Sequence, residues 1–494
     1  MKSIRLKSYK CFEDTGTLPI KPLTFLVGSN SSGKSSFLEF FALLQQSMFT
    51  NREGAFLWVG NNVDLNDFNT VVRSGDNSIG IEMNIERIPI DLNPLDNKAS
   101  ALNDVKVELK VSNISFGDAI TWARVSFNNQ IIEIELNEKE TDRVYVNKEL
   151  MEFPDEQVVH SGSNSLFPQL FFGTDVYESD SPKARTELYS WMRHTLKDSE
   201  VPFPLIFRLR QVIDKAQFKS RILKFKKQEV VIDDFDHIYN FDHIYNLALY
   251  VNINVVLSHI NYYMLDLAKK IEFIQPLRAH AERYYRSRNV SDNRISPSGD
   301  NIAMFFLRLK REKELSKFNK WLKENEMRFE VDLNVVGGFV ELIIKEDGSE
   351  GKNMVDVGFG YSQILPILAT IWKDLNPPGN DPGQKVSFCK TSYVLIEQPE
   401  LHLHPRFQRS FAELLTRCVN QIAKSNLDIR FIIETHSQDI LNNVGLSVAN
   451  GQLDASLVNV YLFNAQRENM RNYIETASYT KDGFLDNWPI GFFD

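Results

Sequence analysis

Residues 23–44 constrain this chain more than any other stretch. The apolar run Leu23-Thr24-Phe25-Leu26-Val27 stops at Gly28-Ser29-Asn30-Ser31-Ser32-Gly33-Lys34-Ser35-Ser36, and a second apolar run starts at Phe37-Leu38. This pattern predicts a strand, a tight glycine loop and a helix. Gly28-x-x-x-x-Gly33-Lys34-Ser35 is the phosphate-loop pattern, in the strand-to-helix setting that the pattern needs. Its glycines let backbone N–H groups turn onto phosphate oxygens at a helix N-terminus, where partial positive charge already gathers. Gly28, Ser29, Asn30, Ser31, Ser32, Gly33, Lys34, Ser35 and Ser36 are therefore the candidate phosphate-binding residues. Lys34 would reach the β and γ phosphates, and the Ser35 hydroxyl would bind Mg2+. At average residue usage a chance match somewhere in the chain is roughly two in a hundred, so a plain strand-to-helix turn is the weaker reading.

Outside that loop, composition mainly excludes. The chain has 494 residues, and at roughly 100 to 200 residues per domain this suggests two to four domains. Hydrophobic residues at 43% and charged residues at 24% fit a globular protein rather than a disordered or fibrous one. Lys plus Arg is 56 against 65 Asp plus Glu, a net charge of −9, so nucleic acid would have to be met by a local basic patch. Cys11, Cys389 and Cys418 are scattered and lack C-x-x-C spacing, which excludes a disulfide framework or a cysteine zinc site and fits a reducing cytoplasm. The start carries Lys2, Arg5, Lys7 and Lys10 with no apolar run behind them, unlike a signal peptide. Residues 247–265 are uncharged, but Asn252, Asn254 and Asn261 would each need a partner in lipid. A buried helix, and no membrane partner, is the expectation.

Alternating runs over residues 78–147, such as Val105-Lys106-Val107-Glu108-Leu109, predict strands of a largely antiparallel sheet. Residues 184–271 read mainly as helix. Within them Phe235-Asp236-His237-Ile238-Tyr239-Asn240 is repeated at once as Phe241-Asp242-His243-Ile244-Tyr245-Asn246, too short a period for a solenoid. A charged amphipathic helix is expected over 301–326, and a hairpin around Gly337-Gly338. Four regions follow: 1–60 with the phosphate loop, a β-rich 61–150, a mainly helical insertion over 151–327, and 328–494. No heptad pattern lasts three repeats, so no long coiled-coil arm is expected.

Tyr393-Val394-Leu395-Ile396-Glu397 is an apolar strand ending in acid, the form of a Walker B element that holds magnesium through Glu397. Downstream, Arg430-Phe431-Ile432-Ile433-Glu434-Thr435-His436-Ser437 places His436 just past another strand, where it can sense a γ phosphate. His402 and His404 lack a nearby third ligand and read as loop residues rather than a metal site. The cations Lys215, Lys219, Arg221, Lys224, Lys226 and Lys227, interleaved with Phe218 and Phe225, fit either a DNA contact or a solvated helix face. The segment Pro276-Leu277-Arg278-Ala279-His280 through Arg286 has more cation and aromatic content than a core needs, and faces nucleotide, partner or DNA; the sequence does not choose.

Gly28 to Ser36, Gly358-Phe359-Gly360-Tyr361-Ser362-Gln363, Ile396-Glu397-Gln398-Pro399-Glu400-Leu401-His402-Leu403-His404-Pro405 and Glu434-Thr435-His436-Ser437 together resemble the ABC-type core of RecF-like and OLD-like bacterial ATPases of the AAA family. The ending Trp488-Pro489-Ile490-Gly491-Phe492-Phe493-Asp494 is similar to a branch common in antiphage defence, such as the ATPase subunit of PARIS-type systems. The resemblance implies an α/β P-loop NTPase of ABC-ATPase type, with an inserted antiparallel β region and a helical domain. It implies ATP with Mg2+, and a homo-oligomer in which Gly358, Gly360, Ser362 and Gln363 close over ATP from a second subunit. Lys34, Glu397, Gln398, Glu400 and His436 become the catalytic candidates, and Ser35 with Glu397 the metal ligands. One departure stands out. Gln398 occupies the position where such ATPases place a general-base Glu, and a carboxamide can orient water but cannot take its proton, a contribution typically worth about 10²- to 10⁴-fold. Slow hydrolysis is expected unless Glu400 supplies the carboxylate. Too few residues follow His436 for the Toprim domain of OLD-type nucleases, so no intrinsic nuclease is expected. The implied role is a cytoplasmic sensor or scaffold subunit controlling an effector from a neighbouring gene; the alternative is a RecF-like repair ATPase that clamps on DNA.

Overall fold

A computed structural model describes the whole chain except residues 91–99, 116, 137–141, 154–157, 162–165, 168, 173–180, 197–213, 227–239, 288–293, 378–386, 467–470 and 489–494. The terminal motif from 489 onward and the first copy of the duplication, up to 239, thus lie outside the described residues. The chain divides into two compact units. One comprises Met1–Pro19 and Leu43–Ala268, the other Ile20–Ala42 and Lys269–Asp494.

The first unit is built on an antiparallel sheet. Its spatial order is Glu149–Leu150, Arg143–Val146, Gln130–Glu135, Gly117–Phe127, Ser100–Ile114, Ser78–Ile90, Ser3–Tyr9 and Phe12–Asp14, with Leu18–Pro19 also paired to Ser3–Tyr9. Alternation makes these strands: Ile79, Ile81, Val105, Val107, Leu109 and Val111 are buried while many of their neighbours are not. Two tight hairpins use asparagine where positive φ is needed. Asn128 and Asn129, at φ 46° and 61°, turn Phe127 back onto Gln130, and Asn147 and Lys148, at 50° and 72°, turn Val146 back onto Glu149.

The long uncharged segment becomes two helices, Phe241–Val251 and Ile253–Lys269. Its asparagines are satisfied by protein. Asn254 exchanges hydrogen bonds with the backbone N–H and carbonyl of Leu170 at 3.0 and 2.5 Å, and Asn261 does the same with Phe167 at 2.9 and 2.8 Å. No helix among the described residues is long and apolar enough to cross a membrane. The second copy of the duplication opens the first of these helices and has packing work: Asn246 donates to Glu149 at 2.7 Å and accepts from Asn147 at 2.7 Å.

The second unit centres on a six-stranded sheet in the order Ile271–Ile274, Thr391–Glu397, Asp428–Glu434, Leu23–Gly28, Val458–Gln466 and Arg471–Ala477. The first five run parallel and the last is antiparallel. Leu23–Gly28 and Ile271–Ile274 are buried at every residue, as parallel strands covered on both faces must be. This is the α/β architecture expected from the sequence, and it sets the ends of strands from both extremes of the chain side by side. A small sheet holds the hairpin Phe329–Val336 and Phe339–Glu346, which turns at Gly337-Gly338. The expected single helix over 301–326 is two helices, Ile302–Arg311 and Leu315–Glu324. Lys313 takes φ 61° between them, a break without Gly or Pro that an amphipathic period does not reveal.

Gly28 ends its strand against the neighbouring one, Val458–Gln466. A Cβ there would lie 2.3 Å from the Phe463 carbonyl oxygen and 2.8 Å from Ser32 Oγ. Gly28→Ala should therefore destabilise the full chain by about 1–3 kcal/mol, the usual range for overpacking, measured by urea unfolding. An unchanged midpoint would show that the two strands part freely.

Candidate nucleotide-binding site

The strand Leu23–Gly28 delivers the loop to the N-terminus of the helix Lys34–Phe49. Ser31 at φ 62° and Gly33 at φ 103° bend the backbone, and only the glycine adopts such an angle without strain. Ser29, Asn30 and Ser31 are exposed, Ser32 and Gly33 are buried, and Ser35 and Ser36 are half-buried. Lys34 is only 3% exposed. Its ammonium donates to the carbonyls of Gly28 at 3.0 Å and Ser29 at 2.8 Å, and lies 3.9 Å from Glu434. Burial pulls its pKa down, opposed by the charges of Glu434 and Glu400.

Acids gather at the carboxyl ends of the next two strands. Glu397 and Glu434 end Thr391–Glu397 and Asp428–Glu434 and sit opposite each other in register. The Ser35 hydroxyl donates to Glu434 at 2.8 Å. Glu400 accepts from the Thr435 hydroxyl at 2.8 Å and from the His436 backbone N–H at 2.6 Å. Burial raises the pKa of both Glu400 and Glu434. Gln398 takes φ 42°, and its N–H donates to the Glu434 carbonyl at 2.9 Å. Arg278 is 4% exposed and donates from Nη2 to the Glu397 carbonyl at 2.7 Å, while its Nε and Nη1 have no hydrogen-bond partner among the described residues. Burial brings this guanidinium down to about 10 despite Glu400 and Glu397 nearby. His436 Nε2 likewise has no hydrogen-bond partner among the described residues.

The structure thus sets Lys34 and Ser35 on Glu434, and Glu400 on Thr435 and His436, the two residues that follow Glu434 in the chain. Sequence reasoning did not single out Glu434 or Thr435 as site residues, and left Arg278 unassigned. The signal for Glu434 was present: Arg430-Phe431-Ile432-Ile433-Glu434 is an apolar strand ending in acid, the same form as the run that ends at Glu397.

The residues of the signature segment, Gly358 to Gln363, which the resemblance sets over ATP from a second subunit, stand differently. Gly358 caps the exposed start of the helix Phe359–Leu375, and the Phe359 ring packs against His280 and His402 at centroid distances of 4.8 and 4.7 Å. A Cβ on Gly360 would touch the His402 carbonyl at 3.4 Å. Ser362 and Gln363 are buried; Ser362 donates to the Phe359 carbonyl at 2.7 Å, and Gln363 donates to the Ser362 hydroxyl at 3.2 Å. His404 caps the helix Pro405–Ala423 through Nδ1, which accepts from the Arg406 N–H. In the other unit, Lys215 pairs with Asp242 at 2.5 Å and Lys219 lies 5.7 Å from the centre of the Phe241 ring. The side chains of Arg221, Lys224, Lys226 and Lys227 lie outside the described ones.

A family model described as AAA ATPase domain matches residues 1–441. Endonuclease GajA of Bacillus cereus (strain HuB5-5) is 28% identical over 165 residues, which span 31% of this chain and 23% of that protein. Similar solved structures include the SmcHead bound to the C-winged helix domain of ScpA, with a TM-score of 0.39 and 11% identity over 97% of this chain and 98% of that one. Another is the SMC head domain from Thermotoga maritima, at 0.35 and 10% over 96% and 97%.

Burial, and then the charge of Lys34, hold the His436 pKa below its ordinary value. The unfolded chain therefore binds the extra proton first, and the native state loses stability as pH falls through about 6.5 and below. In an NMR titration His436 should ionise below an exposed histidine and move upward in Lys34→Met. His436→Gln should lessen the acid-side loss of stability. A His436 titration at the ordinary value, indifferent to Lys34, would contradict this geometry.

Proposed function

Since the chain belongs to the AAA ATPase domain family, we propose that it binds ATP with Mg2+ at the Lys34 pocket, hydrolyses it slowly, and works as an oligomeric sensor or scaffold. The observation that carries this is the buried Lys34 ammonium at a helix N-terminus, beside the hydroxyl of Ser35 and the acids Glu434 and Glu400. Hydroxyl and carboxylate oxygens are the hard donors that suit Mg2+, which would neutralise phosphate charge when bound.

The remaining steps belong to this chain's residues. Lys34 and the loop amides hold the phosphates. Gln398, fixed by its N–H bond to the Glu434 carbonyl, orients water. Glu400 is half-buried and accepts from the His436 backbone N–H, and desolvation raises its pKa and makes it a better base than an exposed acid. It takes the proton of the water that attacks the γ phosphorus as the bond to the bridging oxygen breaks. Both of its oxygens already accept hydrogen bonds, which keeps turnover low.

In this reading copies of the chain close around ATP, with residues 358–363 of one facing the pocket of another, in a cytoplasmic antiphage system of the PARIS kind. ATP-bound and ATP-free forms differ in their contacts to the γ phosphate, and a separately encoded effector is held by one and released by the other. Support for this finer role is the resemblance of the sequence motifs. The DNA-clamping alternative draws on cations of which Lys215 and Lys219 already face Asp242 and Phe241.

Calorimetry should show magnesium-dependent ATP binding that Lys34→Ala abolishes. Steady-state hydrolysis should be slow in wild type, rise in Gln398→Glu by up to about 10²-fold, and fall further in Glu400→Gln. Rapid wild-type turnover indifferent to position 398 refutes the slow-switch reading. DNA binding that weakens steeply with salt and requires Lys219 and Lys224 would favour the clamp.

A further inference from the structure

The acid that receives the Ser35 proton is not the one that the Walker B pattern nominates. A hydroxyl has a single proton to donate, and Ser35 gives it to Glu434 Oε2 at 2.8 Å. Glu397 therefore does not receive it. The sheet explains why. Asp428–Glu434 pairs directly with the loop-bearing strand, Glu434 opposite Leu26, whereas Glu397 lies opposite Glu434, one strand further out. With neighbouring strands about 4.8 Å apart, Glu434 starts one full spacing nearer to the phosphate loop.

Its other oxygen, Oε1, faces Lys34 Nζ at 3.9 Å, with the two side chains 2% and 3% exposed. One carboxylate thus meets both the cation and the hydroxyl of the loop. A serine hydroxyl that ligates a cation does so through its lone pairs and passes its proton to an acid beside it, the relation in which Ser35 and Glu434 already stand. Carboxylate and hydroxyl oxygens are donors for Mg2+ or Mn2+ rather than for softer metals. A buried acid offset by only one lysine also gains from a second cation.

We propose that Glu434, on the switch strand, is the carboxylate that works with Ser35 to hold the divalent cation of the nucleotide, and that Glu397 stands behind it. This rests on the reading of the pocket as a magnesium–ATP site. Glu434→Gln keeps an oxygen for the Ser35 hydrogen bond and removes the charge.

The test is calorimetric titration of ATP into the full chain, in EDTA and in rising Mg2+. Glu434→Gln should lose about 10- to 100-fold of the magnesium-dependent gain, taken as each protein's ATP affinity in Mg2+ relative to its own affinity in EDTA, the usual effect of disturbing a metal's supporting shell. Glu397→Gln should lose less. Should Glu434→Gln fold poorly, Glu434→Asp is assayed by the electron paramagnetic resonance of Mn2+ bound with ATP, where a weakened Mn2+ signal is expected. A wild-type magnesium gain or Mn2+ signal in the Glu434 variants, or a larger loss in Glu397→Gln, overturns the assignment. Failure of the underlying reading looks different: wild type would bind no ATP, or Lys34→Ala would bind it unchanged.

Discussion

A lysine ammonium with 3% of its surface exposed has to be held by something, and here Lys34 is held by the loop that delivers it. Burying a charge costs several kcal/mol unless partners replace water. The carbonyls of Gly28 and Ser29 supply two hydrogen bonds, and Glu434 supplies the opposing charge. That need ranks the surrounding residues. Gly28 must be small to lie against Phe463 and Ser32, and Gly33 must take positive φ to return the chain to the helix. Glu434 must end its strand level with the loop. A triphosphate would offer the same ammonium more negative charge than two carbonyls do, which is why a pocket arranged to satisfy Lys34 is also one that favours an anion.

The parallel sheet makes this gathering possible. Leu23–Gly28 lies between Asp428–Glu434 and Val458–Gln466, strands that follow it by some four hundred positions in the chain. Only non-local pairing sets Leu26 opposite Glu434, and Glu434 opposite Glu397. Parallel strands point their carboxyl ends the same way, and the crevice outside those ends is where α/β sheets take their ligands. A one-residue slip of the switch strand would carry Glu434 to the other face and leave Lys34 and Ser35 facing an apolar residue, Ile433.

Much of this was legible because local chemistry has local signatures. Gly28, Gly33, Lys34 and Ser35 declare the loop by spacing alone, and the asparagines of the uncharged helices declared that they needed partners, later found at Phe167 and Leu170. The period-two runs identified the antiparallel sheet. The rest depended on pairing order, which periodicity does not encode. Which of two similar strands, one ending at Glu397 and one at Glu434, lies next to the loop is a question of sheet topology. So is the path of Arg278 from the end of Ile271–Ile274 to the Glu397 carbonyl. The break at Lys313 escaped notice because a lysine in left-handed conformation carries no compositional mark.

The same bonds make distant residues of this unit interdependent. Glu400 grips the Thr435 hydroxyl and the His436 N–H. Ser437, next along, caps the helix Gln438–Ala449 by accepting from the Ile440 N–H, and donates to Gln408 at 2.6 Å. Gln408 in turn donates to the Leu403 carbonyl at 2.9 Å, in the loop whose His402 ring meets Phe359 at the start of the signature helix. Each link is a hydrogen bond or a ring contact. Glu400, His436, Ser437 and Gln408 thus form a chain of contacts from the pocket of Lys34 to the loop that seats Phe359. The phosphate loop meets Glu434, the segment 358–363 meets His402 and Leu403, and the bonds from Glu400 to Thr435 and His436 lie between them.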